Sequence, residues 1–165
     1  MVYAVVIFPE NLVKIESIRK VYDNRYDWIR AHITLVFPFC DEKITKEELA
    51  SHVKSVCGAI KSFRVKTRDS HISFDNAWLL EISTSRKKII QLHDLLYGDI
   101  LSEYLNPHIK YIPHITLGVF KDGLEANKVR NKNATVLEDT VVDHVTILQI
   151  NNANQIVWRK EVSFQ

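Results

Sequence analysis

Two short segments of the chain share nearly the same residues and carry side chains capable of acid–base chemistry. Each contains His-Ile-Thr-Leu, beginning at His32 in the first segment and at His114 in the second, and each continues into apolar and aromatic residues. About half of the 165-residue chain separates the two histidines. Two imidazoles that face one pocket can act as the acid and the base of a single reaction. The spacing therefore suggests an approximate duplication that supplies one His and one Thr from each half.

Both segments have the residue pattern of β-strands, because β-branched and aromatic side chains predominate in them. Side chains two residues apart in a strand point to the same face. We therefore expect His32 and Thr34 to project together, and His114 and Thr116 to do the same in the second segment. The intervening apolar residues point the other way, so each strand can pack on helices while its polar face lines a cleft.

Other histidines fit this pattern less well. His71 and His144 are also followed two residues later by Ser or Thr, but they lack the His-Ile-Thr-Leu identity. Strands that alternate polar and apolar residues produce such pairs for structural reasons. We predict that His71 and His144 are structural or exposed, and that His52 and His93 lie on exposed faces of helices.

Three cations and one aromatic residue lie close to the two segments in sequence. Arg30, Lys110 and Lys121 could contact an anionic group, although a solvated surface charge is the ordinary role of each. Tyr111 could stack against a nucleic-acid base, with core packing as its alternative role.

Composition predicts one domain, or two small lobes that share an interface. Hydrophobic residues make up 46% of the chain, and the net charge of +2 is too small to indicate a general nucleic-acid-binding surface. Cys40 and Cys57 form no CxxC motif and no disulfide framework, which favours a cytoplasmic location. The apolar run that ends at Pro9 is too short for a signal peptide or a membrane span. No HExxH, Walker or GxGxxG motif is present, so we expect neither a metal nor a cofactor.

Hydrophobic periodicity predicts the elements that must position the two segments. Thr45 and Glu48 form a predicted capping box, and Ser85 could cap the following helix. The pattern predicts helices over 9–22, 45–60, 86–105 and 124–132, and strands over 2–8, 63–67, 76–83, 140–150 and 155–164 besides the two histidine strands. The order strand, helix, histidine strand, helix, strand thus occurs twice. We predict a single α+β domain over 1–165, with pseudo-symmetric lobes of about 1–75 and 76–165 and a cleft between them.

The paired His-x-Thr motifs, one in each half of a small α+β chain, resemble the two-histidine (2H) phosphoesterase superfamily. It includes bacterial RNA 2′,3′-cyclic phosphodiesterases, also called 2′-5′ RNA ligases. The resemblance covers nearly the whole chain because the order of the elements also fits. It implies a bilobal antiparallel-rich fold with a pseudo-twofold axis, a metal-free site, and RNA termini or small nucleotides with a cyclic phosphate as substrates.

Residue roles follow from the same resemblance. His32 and His114 correspond to the acid–base pair, while Thr34 and Thr116 would hold phosphate oxygens. The sequence does not determine which histidine is the acid; we favour His32 as the acid and His114 as the base, although a pseudo-symmetric site could invert with substrate orientation. Many relatives carry Arg where this chain has Val119. Lys121 could supply that charge from the same strand face.

The sequence is therefore compatible with three functions. The leading one is a metal-independent phosphoesterase for 2′,3′-cyclic or 2′-5′-linked phosphodiesters, with RNA ligation as the reverse reaction. The second is a module that binds RNA or nucleotides in the same cleft without turnover. The third is a structural or partner-binding domain whose His-x-Thr pairs are accidental. We expect a monomer that does not associate with membranes.

Overall fold

Eight strands form two antiparallel four-stranded sheets in the part of the chain that the computed structural model describes, residues 1–40, 43–133 and 138–165. The strands are β1 Val2–Ile7, β2 Ile33–Phe39, β3 Phe63–Ile72, β4 Ala77–Thr84, β5 His114–Val119, β6 Asp139–Val142, β7 His144–Ile150 and β8 Ile156–Ser163. The helices are α1 Val13–Tyr22, α2 Lys46–Cys57, α3 Arg86–Leu96 and α4 Gly123–Lys132, with a 3₁₀ helix over Asp99–Tyr104.

The first sheet has the strand order β2-β1-β7-β8, and the second has the order β5-β4-β3-β6. This arrangement confirms the α+β class with two antiparallel sheets. The division between the sheets does not coincide with the predicted lobe boundary near residue 75. Strand β3 belongs to the second sheet, and β7 and β8 return the chain to the first sheet.

The prediction of one strand over 140–150 is wrong. The chain forms β6, which pairs with β3, and then β7, which pairs with β1 in the other sheet. Asp143 separates the two strands, and its carbonyl accepts a hydrogen bond from the Phe164 amide. Because apolar alternation continues through this change of sheet, periodicity alone does not show it.

One apolar core lies beneath both sheets and includes the buried face of each motif strand. Ile33, Leu35, Ile115 and Leu117 are almost completely buried in this single cluster. Full burial of such a side chain contributes about 1.5–3 kcal/mol. The apolar residues between the histidines and threonines therefore fix both motif strands to the same core.

Helix α1 starts later than predicted and packs on the second sheet. Its first residue is Val13, because Asn11 adopts a positive φ of 59° and Leu12 occupies the N-cap position. The helix lies against β5. Gly118 permits this approach, since a Cβ at that position would lie 2.7 Å from the Tyr22 carbonyl oxygen.

The two predicted helix caps have different outcomes. The Thr45–Glu48 capping box is confirmed, with both reciprocal hydrogen bonds present. Ser85 makes no side-chain cap and instead adopts a left-handed conformation. The predicted helix over 86–105 ends at Leu96, and the later 3₁₀ turns bury Leu101 while Ile100 is exposed. The change of helical period explains why Ile100 does not continue the buried stripe of α3.

Candidate active site

The two motif strands are edge strands of their sheets, and they contact each other. β2 ends the first sheet and β5 ends the second. His114 is the first residue of β5, and His32 immediately precedes β2. The tertiary structure thus brings together two segments that are distant in sequence.

The polar residues of each motif lie on the face opposite the shared core. Across the sheets, Thr34 is paired with Val6, Thr116 with Leu79, and His114 with Glu81. The two histidines and two threonines are half-buried, unlike the fully buried residues between them. This burial pattern matches the alternation expected for strands that line a cleft.

The two motif histidines make the same local hydrogen bond. Nδ1 of His32 donates to the Arg30 carbonyl at 2.9 Å, and Nδ1 of His114 donates to the Ile112 carbonyl at 2.7 Å. A carbonyl oxygen can only accept, so Nδ1 carries the proton in each ring. In the neutral ring this leaves the lone pair on Nε2. Each half of the site therefore presents an imidazole with the same tautomer.

Burial lowers the pKa of both motif histidines. Desolvation lowers the pKa of His32 to about 4, and the positive charges of Arg19 and Arg25 act in the same direction. Desolvation also lowers the pKa of His114, assisted by His71 and opposed by Asp75 and Glu81. Both rings are therefore neutral near pH 7 in the unliganded protein.

A buried ionic network fixes the loop that carries His32. The Arg19 guanidinium donates to the Asp23 carboxylate at 2.8 and 3.0 Å and to the Ile29 carbonyl at 2.8 Å. Glu16 joins the network through Arg19 and also accepts a hydrogen bond from the Ala31 amide at 2.6 Å. These bonds hold the backbone on both sides of Arg30, whose carbonyl orients the His32 ring.

The outer edge of β2 is covered by hydrogen bonds from side chains. The Tyr111 hydroxyl donates to the Thr34 carbonyl at 2.8 Å, and His93 Nδ1 donates to the Leu35 carbonyl at 2.7 Å. The Phe37 amide donates to the Tyr97 hydroxyl. These contacts satisfy backbone groups that an edge strand would otherwise leave open.

The prediction that His93 lies on an exposed helix face is therefore wrong. Its side chain is almost fully buried, and its ring stacks on Tyr111 with centroids 3.7 Å apart. His93 shares the apolar stripe of Ile89, Leu92 and Leu96, so helical spacing could have placed it correctly. His52 is also not on an exposed face, because it is half-buried and its Nε2 donates to the Leu96 carbonyl.

The predicted substrate-binding residues have different surroundings. His93 stacks on one face of the Tyr111 ring, so that face is closed to a base. Arg30 lies 4.6 Å from the Phe8 ring centroid and pairs with Glu10 at 3.0 Å. Lys110 is an exposed loop residue. Lys121 follows the end of β5 at Val119, so it does not extend the strand face as predicted. Substrate contacts by these four residues stay predictions.

Sequence reasoning underestimated His71. Strand β3 continues to Ile72, beyond its predicted end, and His71 pairs across the sheet with Leu79, which in turn pairs with Thr116. Nδ1 of His71 lies 3.0 Å from the Glu81 carboxylate, which also binds Arg86 at 2.9 Å. His71 thus lies on the same sheet face as His114. By contrast, the His144 side chain is mostly buried and its Nδ1 hydrogen-bonds the adjacent Asp143.

Two kinds of feature are absent from the described residues. No group of three His, Cys, Asp or Glu side chains within residues 1–40, 43–133 and 138–165 is arranged to hold a metal ion. None of the helices in these ranges has the length and apolar character needed to cross a bilayer.

Comparison with known proteins identifies relatives along nearly the whole chain. The model of the 2′-5′ RNA ligase superfamily matches residues 7–154. The Geobacillus kaustophilus protein named "Putative phosphoesterase GK0864" is 24% identical over 164 residues, covering 96% of this chain and 94% of its own length.

Solved structures show the same fold. TT0787 of Thermus thermophilus has a TM-score of 0.67 at 16% identity, with all of both chains covered. Escherichia coli LigT, crystallised with 3′-AMP, has a TM-score of 0.59 at 14% identity, covering 98% of this chain and 97% of that one.

Proposed function

Because this chain belongs to the 2′-5′ RNA ligase superfamily, we propose that it is a metal-independent phosphoesterase for 2′,3′-cyclic or 2′-5′-linked phosphodiesters of RNA or nucleotides. Family membership and the names of its relatives support a phosphoesterase or RNA-ligase-like enzyme. The observation that carries the finer proposal is the matched pair of motif histidines with the same tautomer on contacting edge strands. Ligation would be the reverse of the same proton transfers.

In the proposed reaction, one imidazole accepts a proton from water through Nε2. The activated water attacks phosphorus, and the bond to one ribose oxygen breaks. The other imidazole, protonated at Nε2, donates its proton to that leaving oxygen. The hydroxyls of Thr34 and Thr116 donate to the nonbridging oxygens, where negative charge develops in the transition state.

The surroundings of the two rings favour His32 as the base and His114 as the acid. The pKa of His32 is lowered to about 4, so this ring stays neutral over most of the accessible pH range. Burial also lowers the pKa of His114, but the nearby carboxylates Asp75 and Glu81 oppose that shift and favour a charged ring. A bound phosphodiester anion would raise the pKa of both rings. This assignment reverses the preference stated in the sequence analysis.

One observation favours the binding-module alternative. Both motif histidines are neutral near pH 7 without a ligand, so the resting site lacks a charged acid. A cleft of this kind could bind a nucleotide without turnover. The alternative predicts measurable nucleotide binding together with no hydrolysis of any cyclic phosphodiester.

The proposed function is tested by assaying 2′,3′-cyclic mononucleotides and short RNAs with cyclic termini. His32→Ala and His114→Ala should each lower kcat by about 10²–10⁴-fold, the usual contribution of a positioned acid or base. Thr34→Ala and Thr116→Ala should cost less, because each removes one neutral donor. His52→Ala, which removes a half-buried histidine from α2, is the matched control. Unchanged turnover in both motif variants would overturn the proposal.

A further inference from the structure

A cavity of about 530 Å³ lies beside the motif of the first sheet, and the two-histidine reaction does not use it. Its walls come from the loop before β2, from the end of β1 and from β7 and β8. Its lining includes Phe8, Trp28, Arg30, Leu148 and Arg159.

Strand register places this cavity on the same sheet face as Thr34. Val6 pairs with Thr34 on one side and with Thr146 on the other. Leu148 lies two residues beyond Thr146 and pairs with Arg159 on β8. Because directly paired residues share a face, Thr34 and the cavity-lining residues Leu148 and Arg159 lie on one face of the first sheet.

Phe8 forms a wall between the cavity and His32. The ring of Phe8 meets that of His32 edge-on, with centroids 6.1 Å apart. The guanidinium of Arg30 lies over the Phe8 ring, with Cζ 4.6 Å from its centroid. The Phe8 ring therefore separates the cavity from the His32 imidazole, which is proposed to act on the phosphate.

The lining combines an aromatic surface with positive charge. The indole of Trp28 is 54% exposed, although burial would normally be favoured for so large an apolar group. Arg30 is paired with Glu10, whereas Arg159 is exposed and forms no ion pair among the described residues. An aromatic ring beside an unpaired guanidinium suits a nucleic-acid base attached to a phosphodiester.

We propose that this cavity binds the base of the nucleotide on the 5′ side of the reacting one, in an RNA that ends in a 2′,3′-cyclic phosphate. Trp28 stacks on that base, and Arg159 contacts the phosphodiester that joins the two nucleotides. The position one ring beyond His32 suits the neighbouring nucleotide and leaves the reacting nucleotide between the two motif strands. This inference rests on the proposed function for its substrate class.

The kinetic test compares a 2′,3′-cyclic mononucleotide with a dinucleotide that ends in the same cyclic phosphate. Trp28→Ala should raise KM for the dinucleotide about tenfold, the effect of losing one base–aromatic stack. The kcat of this variant for the dinucleotide should stay unchanged, as should its kcat and KM for the mononucleotide. Trp28→Phe retains a ring and should restore most of the affinity.

A matched pair of charge variants tests the phosphate contact. Arg159→Gln should raise KM for the dinucleotide alone. Lys160→Gln removes an equal charge from the next residue of β8, which faces the opposite side of the sheet, and should leave both substrates unaffected. Equal effects of Trp28→Ala on both substrates, or no effect on either, would overturn the proposal.

A binding measurement separates this inference from the proposed function. A dinucleotide with a 3′-phosphate should quench tryptophan fluorescence of the wild-type protein, and Trp28→Phe should remove that quenching. Absence of quenching in the wild type would exclude the cavity as a base site. Quenching by a protein that hydrolyses no cyclic phosphodiester would support the cavity while overturning the phosphoesterase proposal.

Discussion

At the scale of single residues, the two motif histidines have the same hydrogen-bonding pattern and are both desolvated by burial. Each ring donates its Nδ1 proton to the carbonyl two residues earlier, and each loses solvent through burial. The hydrogen bond alone would favour the charged ring, but the desolvation of both rings outweighs it. We therefore predict that both imidazoles are neutral in the unliganded site, and that the acid becomes charged only when an anion is bound.

The lowered pKa values of the two histidines determine the expected pH dependence of activity. The profile of kcat/KM reports the free enzyme, in which both pKa values lie below the ordinary value of about 6.5. Activity falls at low pH when the base becomes protonated, and at high pH when the acid becomes neutral. We therefore expect a bell-shaped kcat/KM profile with its maximum below about pH 6.5, and a maximum for kcat at higher pH because the bound anion raises both values.

Initial rates measured from pH 4 to 9 test this expectation, with the limbs assigned to the coupled pair. Residual activity of His32→Ala should lack the acid limb if His32 is the base. A kcat/KM maximum above pH 7.5 would contradict the lowered pKa values. A rate that rises continuously to pH 10 would contradict a histidine acid.

At the scale of elements, helix α1 connects the two halves of the site. The helix packs on β5, which carries His114, while Arg19 and Glu16 hold the loop that carries His32. Arg19 and Asp23 are both almost fully buried. A buried pair of this kind is weak grounds for claiming added stability. Because the Arg19 guanidinium binds both the Asp23 carboxylate and the Ile29 carbonyl, we infer that the pair positions the loop before His32.

Arg19→Lys tests this positioning role, because lysine keeps the charge but lacks the forked geometry of the guanidinium. We expect kcat to fall by about 10–100-fold through misplacement of His32, with KM little changed. The pKa of His32, measured by NMR titration, should stay low, because burial of the ring is the main cause of the low value and the nearby positive charge is retained. Lys20→Met, on the exposed side of α1, is the control. Normal kcat in Arg19→Lys would show that the network does not position His32.

The contact between α1 and β5 depends on Gly118. A methyl group there would lie 2.7 Å from the Tyr22 carbonyl oxygen and 2.9 Å from its Cβ. Gly118→Ala should therefore destabilise the protein by about 1–3 kcal/mol, the usual cost of overpacking. Gly58→Ala is the matched control, because Gly58 has helical dihedral angles and its nearest contact would be 3.4 Å. Denaturant unfolding of both variants measures the difference, and equal stabilities would contradict the crowding argument.

At the scale of the whole molecule, the sheets interleave segments from both halves of the chain. The first sheet combines β1 and β2 with β7 and β8, while β3 crosses into the second sheet. Both sheets contribute their apolar faces to one core. The relative placement of the two motif strands is therefore fixed by the packing of the whole protein.

The proposed chemistry makes no use of a metal, so turnover should survive chelation. The two imidazoles supply both proton transfers, and no described cluster of side chains has the composition of a metal site. Activity toward a 2′,3′-cyclic nucleotide should be unchanged after dialysis against EDTA. Loss of activity that a divalent ion restores would indicate metal-assisted hydrolysis instead.

Features of this protein that depend on local interactions could be predicted from its sequence. The two His-Ile-Thr-Leu strands, the inward Ile and Leu residues and the Thr45–Glu48 capping box depend on side-chain alternation and on contacts within one helical turn. The same patterns predicted the α+β class and indicated the family.

Tertiary structure decided the features that depend on distant partners. The alternating pattern over 140–150 could not reveal that β6 and β7 pair in different sheets, because alternation is identical in either. His71 lies on the site face because β3 pairs with β4 in a particular register. The pKa of His32 is lowered by burial and by charges from another element. Strand pairing, strand register and desolvation each depend on residues that only folding brings together. Local periodicity therefore cannot predict these features.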